Sequence, residues 1–149
     1  MKNIISRGPG VMYLSTEFPV INMHTIDFLV QTATKEGRNI ARICLHKNEQ
    51  SSLMTMLIVV LGKYIYPPHR HSWKSECYSI IKGSCTLQIY EETGIIKKSI
   101  GLVAGDVVMN EQSEFHALHP LSDVLVYVET TTGPFRQGGL EYLNDLHRN

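Results

Sequence analysis

With 149 residues, 43% of them hydrophobic and 19% charged, the chain has the size and composition of one globular domain with its own core. Lys plus Arg and Asp plus Glu number 14 each, so the formal net charge is zero. That balance argues against a basic nucleic-acid binder or a polybasic membrane patch, and it offers little repulsion against self-association. The most apolar run, Leu57-Ile58-Val59-Val60-Leu61, is too short to cross a bilayer. Ile4-Ile5 gives way at once to polar, Gly and Pro residues, so no secretory leader is expected and the expected location is cytoplasmic. Cys44, Cys77 and Cys85 are odd in number and form no CxxC pair, which favours reduced, buried thiols over a disulfide framework or a cysteine zinc site.

In chain order, residues 1–22 read as irregular, with Gly8-Pro9-Gly10 and Pro19 punctuating β-prone pieces such as Val11-Met12-Tyr13-Leu14. Ile26, Leu29, Val30 and Ala33 at helical spacing predict a helix from about Thr25 to Lys35, with Gly37 as its stop. Eight β-rich segments follow: 40–46, 54–61, 76–81, 86–90, 95–102, 106–109, 115–118 and 124–130. Glu91-Glu92-Thr93-Gly94 reads as a hairpin loop with Gly94 at positive φ. Many short strands in one domain predict an all-β sandwich or barrel. The division expected is an arm plus helix at 1–38, a barrel at 39–136, and a tail at 137–149 that is either a loosely docked helix or unstructured.

The stretch that carries chemistry is Pro67-Pro68-His69-Arg70-His71-Ser72-Trp73-Lys74-Ser75-Glu76. Histidines at i and i+2 on a strand point to one face, so His69 and His71 can reach a common point. The tandem prolines fix the chain's approach. Glu76 opens the next strand after a short turn and can return a carboxylate to the same point, and Gly83 closes that strand. Downstream, His116 follows the Gly105-Asp106 turn and the polar loop 110–114 and supplies a fourth donor. His119, three residues on, faces the other way on a strand. Three imidazoles and a carboxylate suit one divalent transition-metal ion per chain, with Fe, Mn, Ni, Co, Cu and Zn all compatible.

His69-x-His71-(x)4-Glu76-(x)6-Gly83 and Gly105-(x)10-His116 resemble the two motifs of the cupin superfamily. Lys63 stands where the first motif has glycine, with Gly62 one place off. In the second motif Glu111, Ser113 and Pro120 replace the usual proline, glycine and asparagine. These positions shape turns and leave the four donors intact. The resemblance implies a cupin (double-stranded β-helix, or jelly-roll) barrel preceded by one helix and a strand-like arm.

More narrowly, Arg42-Ile43-Cys44-Leu45-His46, Pro68-His69-Arg70-His71, and Tyr127-Val128-Glu129 leading to Gly133-Pro134-Phe135 resemble the WbuC family of small cupin metalloproteins over roughly residues 24–136. That resemblance implies a link to bacterial surface polysaccharide synthesis. The broader cupin resemblance implies pairing of two subunits, with the arm packed on the partner.

Three functions are compatible with the site. One is a metal-dependent isomerase or epimerase acting on a sugar or sugar derivative. The others are an Fe(II)-dependent oxygenase and a non-catalytic module that binds a small ligand. As catalytic groups the sequence offers Glu76, either a permanent ligand or a detachable base, with Tyr78 and Glu129. For a small polar, anionic substrate it offers Arg38, Arg42, His46 and Tyr78. Each has a plain alternative: Arg38 and Arg42 as a salt-bridged edge pair, His46 as a satisfied half-buried histidine, Glu129 as an exposed strand carboxylate. Arg70, between the two ligand histidines, must point away from them, and Trp73 either caps the pocket or packs on the rim.

Overall fold

The computed structural model describes residues 3–111 and 114–143. The arm, expected to be strand-like with irregular stretches, is a hairpin, β1 (Ile4–Gly8) and β2 (Val11–Leu14), turned at Pro9-Gly10. Gly10 takes a positive φ of 69°, and the β-prone residues on either side of it pair antiparallel. β2 then runs parallel to β3 (Ile40–Cys44), so the arm is a continuation of the chain's own sheet.

Helix α1 spans Met23–Lys35, two residues earlier than its periodicity predicts. Its N-cap explains the difference: the Asn22 side chain accepts from the Thr25 amide at 3.1 Å, while Met23 and His24 of the first turn are exposed and leave no apolar signal. At the other end Gly37 adopts a φ of 63°, and the Arg38 amide still bonds back to the Ala33 carbonyl at 2.9 Å. Arg38 therefore belongs to the helix terminus and not to β3. No helix among the described residues is long and apolar enough to cross a membrane.

The remaining strands are β4 (Leu53–Leu61), β5 (His69–His71), β6 (Glu76–Lys82), β7 (Ser84–Tyr90), β8 (Ile96–Val103), β9 (Val107–Asn110), β10 (Phe115–Pro120), β11 (Val124–Thr132) and β12 (Leu140–Tyr142). They form a seven-stranded sheet in the order β1-β2-β3-β4-β11-β6-β9 and a five-stranded sheet in the order β12-β5-β10-β7-β8.

Strand β4 is apolar along almost its whole length because both its faces are covered. Met56, Ile58 and Val60 join Tyr78, Ile80, Leu87, Leu102 and Leu125 in a core between the sheets. Leu57 and Val59 point the other way, with Ala41, Ile43 and Val126, and meet Ile26, Leu29 and Ala33 of the helix. Leu29, Leu57 and Val59 are fully buried, and each such side chain stabilises the fold by roughly 1.5–3 kcal/mol.

The tail assignment needs correcting at residues 140–142. β12 pairs with β5, setting Glu141 opposite Arg70 and Tyr142 opposite His69. Arg70 Nε lies 2.8 Å from Glu141 Oε2, its guanidinium covers the Phe115 ring at 4.4 Å, and the Tyr66 and Tyr142 hydroxyls meet at 2.8 Å. These contacts hold the segment to the barrel and complete the sheet behind the histidines. Residues 144–149 lie outside the described residues.

Candidate metal centre and its cavity

Strand register brings the four donors together. His69 on β5 stands directly opposite His116 on β10, and their ring centroids are 4.6 Å apart. His71, two residues along β5, points to the same side, 4.9 Å from His69 between ring centroids. Glu76, at the start of β6, comes from the other sheet. Three imidazoles from one sheet and a carboxylate from the other thus converge, with one donor atom from each within 4.8 Å of all the others.

The outer nitrogens of two of the rings are fixed by backbone. Nδ1 of His69 donates to the Pro67 carbonyl at 2.9 Å, and Nδ1 of His116 donates to the Glu114 carbonyl at 2.9 Å. Each bond leaves an Nε2 lone pair turned toward the centre. The tandem prolines thus do more than stiffen the approach, since the first supplies the acceptor that orients His69.

Nε2 of His116 is 2.8 Å from Glu76 Oε2, and Nε2 of His71 is 3.1 Å from Glu76 Oε1. Both nitrogens are nonetheless buried without a hydrogen bond of proper geometry. The His116 lone pair and the His71 ring nitrogen that crowd this carboxylate are the arrangement a shared cation satisfies. The donor set therefore fits a borderline divalent ion.

Electrostatics keep two of the donors, His69 and Glu76, in their ligand forms. Burial, then the neighbouring His116, pushes the His69 imidazole down to about 4, so it is neutral at physiological pH. Burial raises the Glu76 carboxyl, but its polar neighbours, the Lys74 ammonium at 2.8 Å first among the charged ones, hold it below the ordinary carboxylate range. Lys74 was not singled out from the sequence. Its Nζ sits 2.8 Å from Glu76 Oε1, reaching in from the loop between β5 and β6. The only signal for it was a long cationic side chain two residues before a ligand.

The donors sit in the wall of a cavity of about 300 Å³. Along β11 the inward rows are easily read. Thr131 lies opposite Glu76, Glu129 opposite Tyr78, and Tyr127 opposite Ile80. Arg42 and Cys44 of β3 reach the same face across β4, through Ile58 and Met56.

Of the residues singled out for catalysis or substrate, Glu76, Tyr78, Glu129, Arg42 and His46 line this cavity with the histidines. Arg38 does not. It pairs with Glu36 at 2.8 Å on the surface, because the helix terminus and not β3 sets its direction, so its assignment to substrate is corrected. Tyr78 is fully committed to Glu76: its hydroxyl donates to Oε2 at 2.8 Å, which makes it a positioning residue for the ligand carboxylate.

Glu129 opens onto the cavity. Burial, then Glu76, pushes its carboxyl up to about 7 against the pull of Lys74, Arg42 and His116. His119 faces away, with Nε2 2.6 Å from the Tyr90 hydroxyl. Trp73 packs at the rim against Gly139, under the Arg136 guanidinium at 4.8 Å. The three cysteines are free, and burial pushes Cys44 and Cys85 up to about 11.

A family model described as a domain of unknown function, DUF6016, matches residues 21–102, more than half of the chain. The chain belongs to the DUF6016 family. No curated protein matches it in sequence. Among solved structures, this DUF6016 protein is similar to KdgF from Halomonas sp., at 15% identity and a TM-score of 0.55 over 66% of this chain and 82% of that one. A Klebsiella pneumoniae protein with a double-stranded β-helix domain matches at 13% identity and a TM-score of 0.55, over 70% of this chain and 84% of the other.

The Bacillus subtilis oxalate decarboxylase, described with Mn(II) centres, matches at 20% identity and a TM-score of 0.53, over 63% of this chain and 24% of its own length. This DUF6016 chain thus has the cupin, double-stranded β-helix fold.

Proposed function

We propose that this protein holds one divalent transition-metal ion per chain on His69, His71, Glu76 and His116. In this reading it is a metal-dependent enzyme of the isomerase or epimerase type, acting on a small sugar or sugar derivative. The observation that carries the metal reading is the pair of buried, unpartnered Nε2 atoms of His71 and His116 facing Glu76. Fe, Mn, Ni, Co and Zn all suit the donors, and the Mn(II) centres of the oxalate decarboxylase put Mn among the first to try. When bound, the ion supplies Lewis-acid polarisation of substrate oxygens, which acidifies a neighbouring C–H or a water.

The chain's own residues supply the rest. Glu129, which opens onto the cavity between the Arg42 row and the ligand row, takes a proton from substrate carbon and returns it as general acid/base. Tyr78 and Lys74 each hold one oxygen of Glu76, which favours a fixed ligand over a mobile base. A cavity of about 300 Å³ is at the small end of ligand pockets, which favours a monosaccharide-sized substrate over a nucleotide sugar. The resemblance of Arg42–His46 and Pro68–His71 to WbuC-family segments supports a substrate drawn from bacterial surface polysaccharide synthesis. We read the protein as a cytoplasmic homodimer, to be checked by light scattering.

The test is exchange of substrate C–H for deuterium by the metal-loaded protein in D2O, across a panel of aldoses, ketoses and sugar acids. Metal-dependent exchange that disappears in Glu129→Gln is expected. A second reading, an Fe(II)-dependent oxygenase, draws on the same three-histidine, one-carboxylate set. Stoichiometric oxygen uptake with Fe(II), without exchange, would favour it. Saturable ligand binding with neither would make the protein a binding module.

A further inference from the structure

Two side chains in the cavity wall each keep a polar group without a partner among the described residues. Arg42 projects from the middle of β3 and lines the cavity. Among the described residues it makes no ion pair, whereas Arg38 pairs with Glu36 and Arg70 with Glu141 and Glu92. His46, four residues on, is only 8% exposed. Its Nδ1 lies 3.1 Å from the Thr55 carbonyl, an acceptor that requires the hydrogen on Nδ1. Nε2 is therefore a lone-pair acceptor, and it is buried with no donor. Burial holds the imidazole below its ordinary value, so the ring stays neutral.

From these features we infer that the ligand of this cavity is a small polyhydroxy monocarboxylate, with its carboxylate on the Arg42 guanidinium and a hydroxyl donated to Nε2 of His46. The inference rests on the reading of the cavity as a metal-dependent active site and names its substrate class.

A planar guanidinium presents two parallel N–H donors that match a carboxylate. Of the cations that line the cavity, Lys74 is already paired with Glu76 and Arg136 lies over the Trp73 ring, which leaves Arg42, among the described residues, as the guanidinium open to an anionic ligand. A neutral His46 acceptor requires a donor, which a hydroxyl supplies and a carboxylate does not.

In the strand order β3-β4-β11-β6, Arg42 lies three strands from Glu76, and the Glu129 row falls between theirs. A carboxylate on Arg42 would hold the middle of the molecule near Glu129, with its other oxygens directed to the histidines.

Calorimetric titration tests this on the full chain, both metal-loaded and after metal removal by a chelator. The probes are D-gluconate and D-galacturonate, their neutral counterparts D-sorbitol and D-galactose, and n-hexanoate as the acid without hydroxyls. In wild type the sugar acids should bind roughly tenfold or more tightly than the neutral sugars. Arg42→Gln should erase that preference with metal content unchanged, and Arg42→Lys, which keeps the charge, should retain part of it. His46→Phe should narrow the gap between gluconate and hexanoate.

Neutral sugars binding as tightly as the acids, a preference that survives Arg42→Gln, or no binding of either acid would overturn the inference. An Arg42-dependent acid preference in a protein that takes up no metal would support it while sinking the metal reading, so the two can fail separately.

Discussion

The hydroxyl of Tyr78 donates to Oε2 of Glu76 at 2.8 Å while the Lys74 ammonium holds Oε1 at the same distance, so both oxygens of the ligand carboxylate are positioned before any cation arrives. Both partners come from the sequence immediately around the ligand, Tyr78 from the same face of β6 and Lys74 from the loop before it. Outer partners of this kind orient metal ligands and are worth one to two orders of magnitude in affinity.

Tyr78→Phe should therefore weaken metal binding by roughly 10–100-fold without unfolding the protein, since the ring volume is kept. Competition against a chelator of known affinity measures it. Unchanged affinity would mean that the hydroxyl serves something other than Glu76.

The raised carboxyl of Glu129 makes a stability prediction with a definite sign. An unfolded chain releases this proton near 4.5, and the folded metal-free protein releases it only near 7. Between those values the folded state binds more protons, so stability falls as pH rises through the window and the penalty is complete above about 7. The gap corresponds to at most roughly 3–4 kcal/mol. Urea unfolding of metal-free Glu129→Gln should show it more stable than wild type at pH 8, with the difference vanishing below about pH 4.5. His69, held down at about 4, acts in the opposite sense, and its contribution is lost as pH falls from 6.5 toward 4. The two slopes oppose each other in wild type, so the readout is the difference between the proteins.

Gly83, in the turn from β6 to β7, has a φ of 85°, and a Cβ there would strike Ser122 Oγ and the Val124 carbonyl. Both the backbone conformation and the space are closed to a side chain. Gly83→Ala should cost roughly 2–4 kcal/mol in urea unfolding. A cost under about 0.5 kcal/mol, the range of an ordinary surface substitution, would show that the turn relaxes easily.

Much of this arrangement was legible in the sequence because the signals are local. The His69, His71, Glu76 and Gly83 spacing fixes side-chain direction through strand alternation, and the long apolar strand β4 reads plainly. What could not be read depends on pairing between distant segments. β12 has three residues, too few for a period, and is specified by Arg70 opposite Glu141 and Tyr66 meeting Tyr142. The parallel alignment of β2 on β3 follows from the intervening helix, which no spacing within residues 1–22 announces. Arg38 misled because the i, i+4 relation to Arg42 assumes one continuous strand, whereas Gly37 and the helix C-terminus interrupt it. Lys74 was hidden because a loop side chain reaches its partner by length and not by register.

Elemental analysis of the purified, tag-free protein beside His69→Ala and His116→Ala tests the central claim most directly. The account predicts roughly one equivalent of a transition metal in wild type and its loss in both variants, with the fold retained by circular dichroism. Wild-type protein that holds no metal, even after anaerobic reconstitution with Fe(II), Mn(II), Ni(II) or Zn(II), would contradict it.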